Sequence, residues 1–157
     1  MLAWLENSQA AAWVRDELWG WPIALALHEF GTAVVVGFAL IIGLRLFGLF
    51  ETIPYGALNR LFPVFWIAFV LQLLTGFALW MTKPTQYVSD LAFTLKIAFV
   101  VLGAVLTLYF QGAVRREAAS WDATGASSRA IKFVAATLLV WCSVLVTGRL
   151  TAYLGSL

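Results

Sequence analysis

Four long apolar segments constrain this chain more than any other feature of its sequence. Each reaches the ~20 residues that a helix rising ~1.5 Å per residue needs to cross ~30 Å of hydrocarbon. Backbone N–H and C=O groups in lipid must be paired inside the segment, so all four are predicted to be membrane-spanning helices. The segments run from about Ile23 to Phe50, Leu61 to Met81, Leu91 to Gln111 and Ile131 to Leu154.

The composition supports an integral membrane protein and argues against several other classes. Apolar residues make up 62% of the chain and charged residues only 11%, whereas soluble domains have about 45–50% and about 25%. The net charge of +2 is too weak to indicate nucleic acid as a partner. A single Cys and a single His allow neither an internal disulfide nor the usual four-ligand zinc site.

Short connectors join the four segments, at Glu51–Arg60, Thr82–Asp90 and Gly112–Ala130. Because short connections make neighbouring helices antiparallel, the predicted fold class is all-α, a four-helix up-down bundle that forms a single membrane domain over residues 1–157. Residues 1–20 place apolar side chains at helical spacing among polar ones. This pattern predicts an amphipathic helix that lies on one membrane face.

The distribution of Lys and Arg predicts the orientation of the bundle. Six basic residues fall on the face that holds the first and third connectors, and four fall on the face that holds both termini. Two of those four, Lys96 and Arg149, lie inside apolar segments. Both termini are therefore expected in the periplasm of a bacterial inner membrane. The six are Arg45, Arg60, Arg115, Arg116, Arg129 and Lys132.

Ionisable residues inside the spans mark the candidate site, because such residues are energetically expensive at membrane depth. His28, Lys96 and Arg149 each lie about five residues from the same end of the bundle, or ~7 Å at ~1.5 Å per residue. Counting residues along antiparallel helices therefore places these three side chains, from three different helices, at one depth in the membrane. This result does not depend on which way the bundle is oriented. Glu29 is expected to face Lys96, Arg149 or the outer interface. Polar and small residues on the second and third spans share this inward direction: Gln72, Thr75, Gly76, Gly103 and Thr107.

Each of these residues also has a purely structural interpretation. Lys96 and Arg149 can extend to the outer headgroups, and Arg45 to the inner ones. His28 can be a packing residue that is hydrogen-bonded to Thr75, Glu29 or a backbone carbonyl.

The first functional hypothesis is an accessory redox subunit that binds one haem b near the outer face. His28 would supply an axial ligand, and Lys96 and Arg149 would pair with the propionates. Gly31 and Gly76 would make room for the macrocycle. With one His in the chain, the iron is five-coordinate, bound by a His28–Met81 pair, or shared across a homodimer. Such a chain is not expected to be an enzyme on its own.

Two further hypotheses remain open. Copper handling rests on ligands that suit copper but are scattered along the sequence: His28, Met81, Met1 and Cys142. In the other hypothesis the chain carries no cofactor and is a structural subunit that docks other membrane proteins. The apolar outer faces and short connectors are compatible with this role.

Several segments carry a family resemblance: Arg15-Asp-Glu-Leu-Trp-Gly-Trp-Pro, Leu27-His28-Glu-Phe-Gly31 and Gly43-Leu-Arg45-Leu-Phe-Gly48. With Thr75-Gly76 and Phe93-x-x-Lys96, they resemble a family of small, uncharacterised four-helix proteins of bacterial inner membranes. The resemblance spans most of the chain.

More distantly, the early His is similar to that of the copper-resistance protein D superfamily and of haem-binding four-helix membrane proteins. This likeness implies His28, Arg45 and Lys96 as cofactor positions. Relatives often have a second His after the Phe that closes the third span, where this chain has Gln111. The departure weakens a two-histidine redox scheme.

Overall fold

The computed structural model describes residues 2–154, which contain seven α helices, one 3-10 helix and no strand. Four of the helices are long and apolar enough to cross a membrane, which confirms the predicted all-α four-helix membrane bundle. The α helices are α1 (Ala3–Glu6), α2 (Gln9–Asp16), α3 (Gly20–Leu46), α4 (Phe62–Trp80), α5 (Pro84–Ser89), α6 (Leu91–Thr124) and α7 (Ser128–Leu154). The 3-10 helix (Tyr55–Arg60) lies between α3 and α4.

The long helices pack in a definite order. Helix α3 packs along both α4 and α7, and α7 packs along α6. We call the end of the bundle that holds α1, α2 and α5 the outer end, and the end that holds the 3-10 helix the inner end. On the helix faces that do not pack against another helix, large apolar side chains are exposed, as expected for surfaces that contact lipid.

Aromatic rings fill the centre and inner half of the bundle. The ring centre of Phe65 lies 4.8 Å from that of Phe38 and 5.7 Å from that of Trp141. Trp141 packs against α6 at Gly103, where a Cβ atom would lie 2.8 Å from the indole. Its ring nitrogen donates a hydrogen bond to Thr107 Oγ1 at 3.2 Å. The small, polar face predicted for the third span therefore receives an aromatic side chain of the fourth.

Two predicted helix boundaries are wrong, for physical reasons. Helix α6 was expected to end at Gln111 but continues to Thr124, so only residues 125–127 of the predicted connector lie outside helices. Residues beyond Gln111 are rich in Ala, Arg and Glu, which favour helix in water as well as in lipid. Helix α3 ends at Leu46 rather than Phe50, because the chain turns there with positive φ at Gly48 and Phe50.

The predicted helix over residues 1–20 is two short helices that break at Asn7 and Ser8. The Ser8 hydroxyl accepts a hydrogen bond from the backbone N–H of Ala11 at 3.2 Å and so caps α2. Ala11 and Val14 are buried where α2 packs on α3 and α4, while Trp13 is half-exposed. The hydrogen-bonded guanidinium of Arg15 lowers the pKa of the Asp16 carboxyl. Helix α2 therefore lies across the outer ends of α3 and α4.

Candidate functional site

All four long helices contribute to a polar layer near the outer end. His28 of α3 is buried, and its Nδ1 lies 3.1 Å from Thr75 Oγ1 of α4. Its Nε2 lies 3.1 Å from Gln72 Nε2 of α4 and 3.5 Å from Lys96 Nζ of α6. Helix α7 approaches at Gly148, where a Cβ atom would lie 3.5 Å from Lys96 Nζ. We call these five residues the outer polar layer.

The donors and acceptors around His28 assign one tautomer to its imidazole ring. The Thr75 hydroxyl donates to the Leu71 carbonyl at 2.7 Å, so it accepts from His28 Nδ1–H. The Gln72 amide nitrogen donates to Thr32 Oγ1 at 2.6 Å and has a second N–H for His28 Nε2. With the Gln72 amide in this orientation, which leaves its Oε1 without a hydrogen-bond partner, the imidazole is neutral, with its proton on Nδ1 and the lone pair of Nε2 directed at Gln72 and Lys96.

The hydrogen bond to Thr75 confirms the packing interpretation of His28 for one ring nitrogen. Glu29, another partner suggested from the sequence, does not form a hydrogen bond with His28. Gln72 was recognised as part of a polar face but not as the partner of Nε2. Its position three residues before Thr75 was the available signal, because such residues share a helix face.

Protein atoms fill the space beside the two glycines that were expected to make room for a haem. A Cβ atom on Gly31 would lie 2.9 Å from Gln72 Oε1, and one on Gly76 would lie 3.0 Å from His28 Cε1. Their missing side chains let α3 and α4 approach each other. An iron atom at His28 Nε2 would have to displace the Gln72 amide and the Lys96 ammonium. The residues around His28 in this arrangement therefore do not fit a haem.

Lys96 does not extend to the headgroups, as one alternative supposed. Its stem runs beside Gly148 and its ammonium turns inward to His28. Among the described residues, no carboxylate oxygen lies within 4.0 Å of Lys96 Nζ. Lys96 thus brings a cation into the polar layer, where its contact is a neutral imidazole.

Arg149 and Glu29 lie outside the polar layer. Arg149 donates to the Glu29 carboxylate at 3.4 Å, with the two side chains 70% and 46% exposed. This contact confirms the expected pairing of Glu29. Exposed pairs of this kind contribute about 0–1 kcal/mol, so the pair is a surface contact between α3 and α7. Arg149 is not brought to His28.

Arg45 belongs to the opposite end of the bundle. Position 45 is 17 residues after His28, or ~25 Å along a helix at ~1.5 Å per residue. Its side chain is buried rather than extended to headgroups, and its Nε donates to the Ile53 carbonyl at 2.6 Å. Its guanidinium carbon lies 3.8 Å from the ring centre of Tyr55. Arg45 therefore fixes the α3–α4 connector and shares no site with His28.

The 3-10 helix is held from its other side by the extension of α6. The backbone N–H of Tyr55 donates to Asp122 Oδ1 at 2.7 Å, and the ring of Tyr55 packs edge-on against Trp121. Gln111 accepts a hydrogen bond from the Trp66 indole at 3.0 Å. It joins α6 to α4 in the inner half of the bundle. Sequence reasoning missed the contacts of Trp121 and Asp122, because it placed residues after 111 in a loop.

The copper ligands considered from the sequence do not form a cluster. Met81 is buried just after α4, Cys142 is exposed on α7, and Met1 lies outside the described residues. The atoms at the His28 ring nitrogens belong to Thr75, Gln72 and Lys96 instead. No group of three or more His, Cys, Asp or Glu side chains is arranged to hold a metal ion within residues 2–154.

Fold and site together define a multi-pass α-helical membrane protein with a hydrogen-bonded histidine near one end of its bundle. Comparisons with protein-family models, curated proteins and solved structures find no match for the chain.

Proposed function

We propose that the chain is a non-catalytic subunit of a larger assembly in a bacterial inner membrane, and that it docks another membrane protein at its outer end. Both termini face the periplasm in this proposal, as the Lys and Arg distribution predicts. The observation that carries the proposal is the ammonium of Lys96, which lies within the bundle without a carboxylate within 4.0 Å among the described residues.

A cation at membrane depth is costly unless an anion or a polar cavity compensates it. The nearby Glu29 carboxylate is already in contact with Arg149. Lys96 remains partly exposed, so a group from outside the chain can reach it. A carboxylate on a spanning helix of the partner supplies the missing charge at the right depth, because polar side chains bond across helices in membranes.

The role of His28 in this proposal is to hold helices together. Both ring nitrogens have protein partners on α4, and the two neighbouring glycines allow close helix contact. Interhelical hydrogen bonds of this kind are worth about 0.6 kcal/mol on average in membrane proteins. The layer thus positions Lys96 for docking, and within it the Oε1 atom of Gln72 is buried without a hydrogen-bond partner among the described residues.

The test uses the full-length chain in its native membrane. A photo-reactive residue replaces the exposed Leu95, and mass spectrometry identifies the partner peptide crosslinked to it. We expect that peptide to contain Asp or Glu in a spanning helix. Lys96→Glu should abolish the crosslink, and exchange of the partner carboxylate for Lys should restore it. Lys83→Gln, which removes an exposed cation at the same end and leaves the contact of Arg149 with Glu29 intact, is the matched control and should retain the crosslink.

The outcomes separate the proposed function from its alternatives. A crosslink only to a second copy of the chain would mean that the chain forms a homodimer instead of docking another protein. A crosslink that persists in Lys96→Glu would mean that Lys96 does not contribute to docking. A visible spectrum of the same purified sample tests the redox hypothesis. A reduced-minus-oxidised haem band that disappears in His28→Gln would overturn the non-redox subunit in favour of a haem carrier.

A further inference from the structure

A second site lies at the inner end, in a cleft between α6 and α7. Its cavity of about 150 Å³ is lined by Arg116, Glu117 and Arg129 beside the aromatic rings of Tyr109 and Phe133. A shallower depression continues from Arg129 and Phe133 to Lys132. We call the six residues the basic groove. They do not take part in the outer polar layer or in the contacts of Arg45.

The basic groove presents cations whose charge is not neutralised within the described part of the chain. Arg116, Arg129 and Lys132 form no ion pair there within 4.0 Å, and Glu117 is the carboxylate that lines the cavity. Arg116 folds back along its own helix over Gly112, where a Cβ atom would lie 3.2 Å from the guanidinium. Arg116 itself lines the cavity.

The apolar segments of the sequence place the groove at the level of lipid headgroups. Gly112 immediately follows the apolar segment that ends at Gln111, and Lys132 falls at the start of the apolar segment of α7. The floor of the groove is apolar, because the rings of Tyr109 and Phe133 pack against each other with centres 4.9 Å apart and planes tilted by 38°, and Tyr109 is half-exposed. Cations therefore lie beside an aromatic surface that continues toward the hydrocarbon.

We propose that the basic groove binds an anionic phospholipid. The lipid phosphate lies between Arg116 and Arg129, where guanidinium groups match phosphate oxygens in charge and geometry. Lys132 adds charge at the rim, and an acyl chain follows Phe133 and Ala136 into the bilayer. Basic pockets between spanning helices on the cytoplasmic side are suited to anionic headgroups. The apolar floor favours a lipid over free phosphate, which has no acyl chain to cover it.

The experiment measures lipid binding by native mass spectrometry on the detergent-purified full-length chain. The probes are phosphatidylglycerol and phosphatidylcholine with identical acyl chains. We expect at least fivefold tighter binding of phosphatidylglycerol. Arg116→Gln and Arg129→Gln should each weaken phosphatidylglycerol binding about fivefold, as expected for the loss of one cation near a membrane surface. Arg115→Gln is the matched control, because Arg115 is an exposed neighbour that does not line the groove, and it should change binding less than twofold.

Three outcomes would overturn the proposal: equal affinity for the two lipids in the wild-type chain, an equal loss in Arg115→Gln, or full displacement of phosphatidylglycerol by millimolar inorganic phosphate. The last result would make the site one for a free anion. If a groove variant does not purify as a folded chain, Lys132→Gln at the exposed rim takes its place, and the wild-type preference between the lipids decides the question independently.

Discussion

Substitution of His28 separates a packing histidine from a cofactor ligand. His28→Leu removes the hydrogen bond from Nδ1–H to Thr75 and the bond that Nε2 accepts from Gln72. Interhelical hydrogen bonds in membrane proteins average about 0.6 kcal/mol and reach about 1.7 kcal/mol. Loss of both bonds predicts a destabilisation of about 1–3 kcal/mol. His28→Gln keeps one donor and one acceptor near these positions, so its cost should stay below about 1 kcal/mol.

The assay is reversible unfolding of the purified bundle in mixed micelles, followed by tryptophan fluorescence, with the visible spectrum recorded on each sample. The expected order of stability is wild type, His28→Gln and then His28→Leu, with identical spectra. Thr75→Val provides a matched variant, because it keeps the side-chain shape and removes the acceptor for Nδ1–H. Equal destabilisation by Gln and Leu at position 28 would refute the hydrogen-bond reasoning, and a visible band present only in the wild type would refute the packing role.

The remaining predictions concern other parts of the bundle. Arg45→Met should destabilise the chain by about 2–4 kcal/mol, because it removes a charge-assisted hydrogen bond to a carbonyl and a cation–π contact. Thermal unfolding and protease cleavage near Thr52 would measure this loss. Unchanged resistance to heat and to the protease would contradict it. Gly103→Ala should cost about 1–3 kcal/mol by overpacking and shift the emission of Trp141, whereas an unshifted spectrum would mean that the two helices are not in close contact. A cytoplasmic reporter should be active when fused after Gly125 and inactive at the C-terminus, and the reverse pattern would invert the predicted topology.

The sequence could predict the four spans but not where their helices end. Hydropathy measures how long a segment can lie in hydrocarbon, so it predicts the four apolar helices that are long enough to cross a membrane. It does not report helix formation in water, where Ala, Arg and Glu continue α6 for 13 residues beyond Gln111. The inner-end contacts of Asp122 and the basic groove at Arg116 depend on this extension. Neither could be predicted while residues 112–130 were treated as a loop.

Antiparallel counting predicted a common depth for His28, Lys96 and Arg149, but depth alone does not determine where a side chain points. Lys96 turns inward, with its stem beside Gly148 of α7 and its ammonium 3.5 Å from His28 Nε2. Arg149 follows Gly148 by one residue, which is ~100° around the helix, so it lies outside and meets Glu29 at 3.4 Å. The direction of each cation is therefore set by the residue on the neighbouring helix, which a single sequence does not pair with it.

Three cations lie in or beside the spans, and they differ in what compensates their charge. This difference is the reason why the proposed docking is assigned to Lys96. Arg45 is buried at the inner end, but a backbone carbonyl at 2.6 Å and the Tyr55 ring compensate its charge. Arg149 is exposed and contacts the Glu29 carboxylate. Lys96 instead contacts the lone pair of a neutral His28 at 3.5 Å, which accepts one N–H and supplies no opposing charge. Because a cation without a carboxylate in contact is costly at this depth, we expect a partner carboxylate in the proposed complex to act most strongly at Lys96.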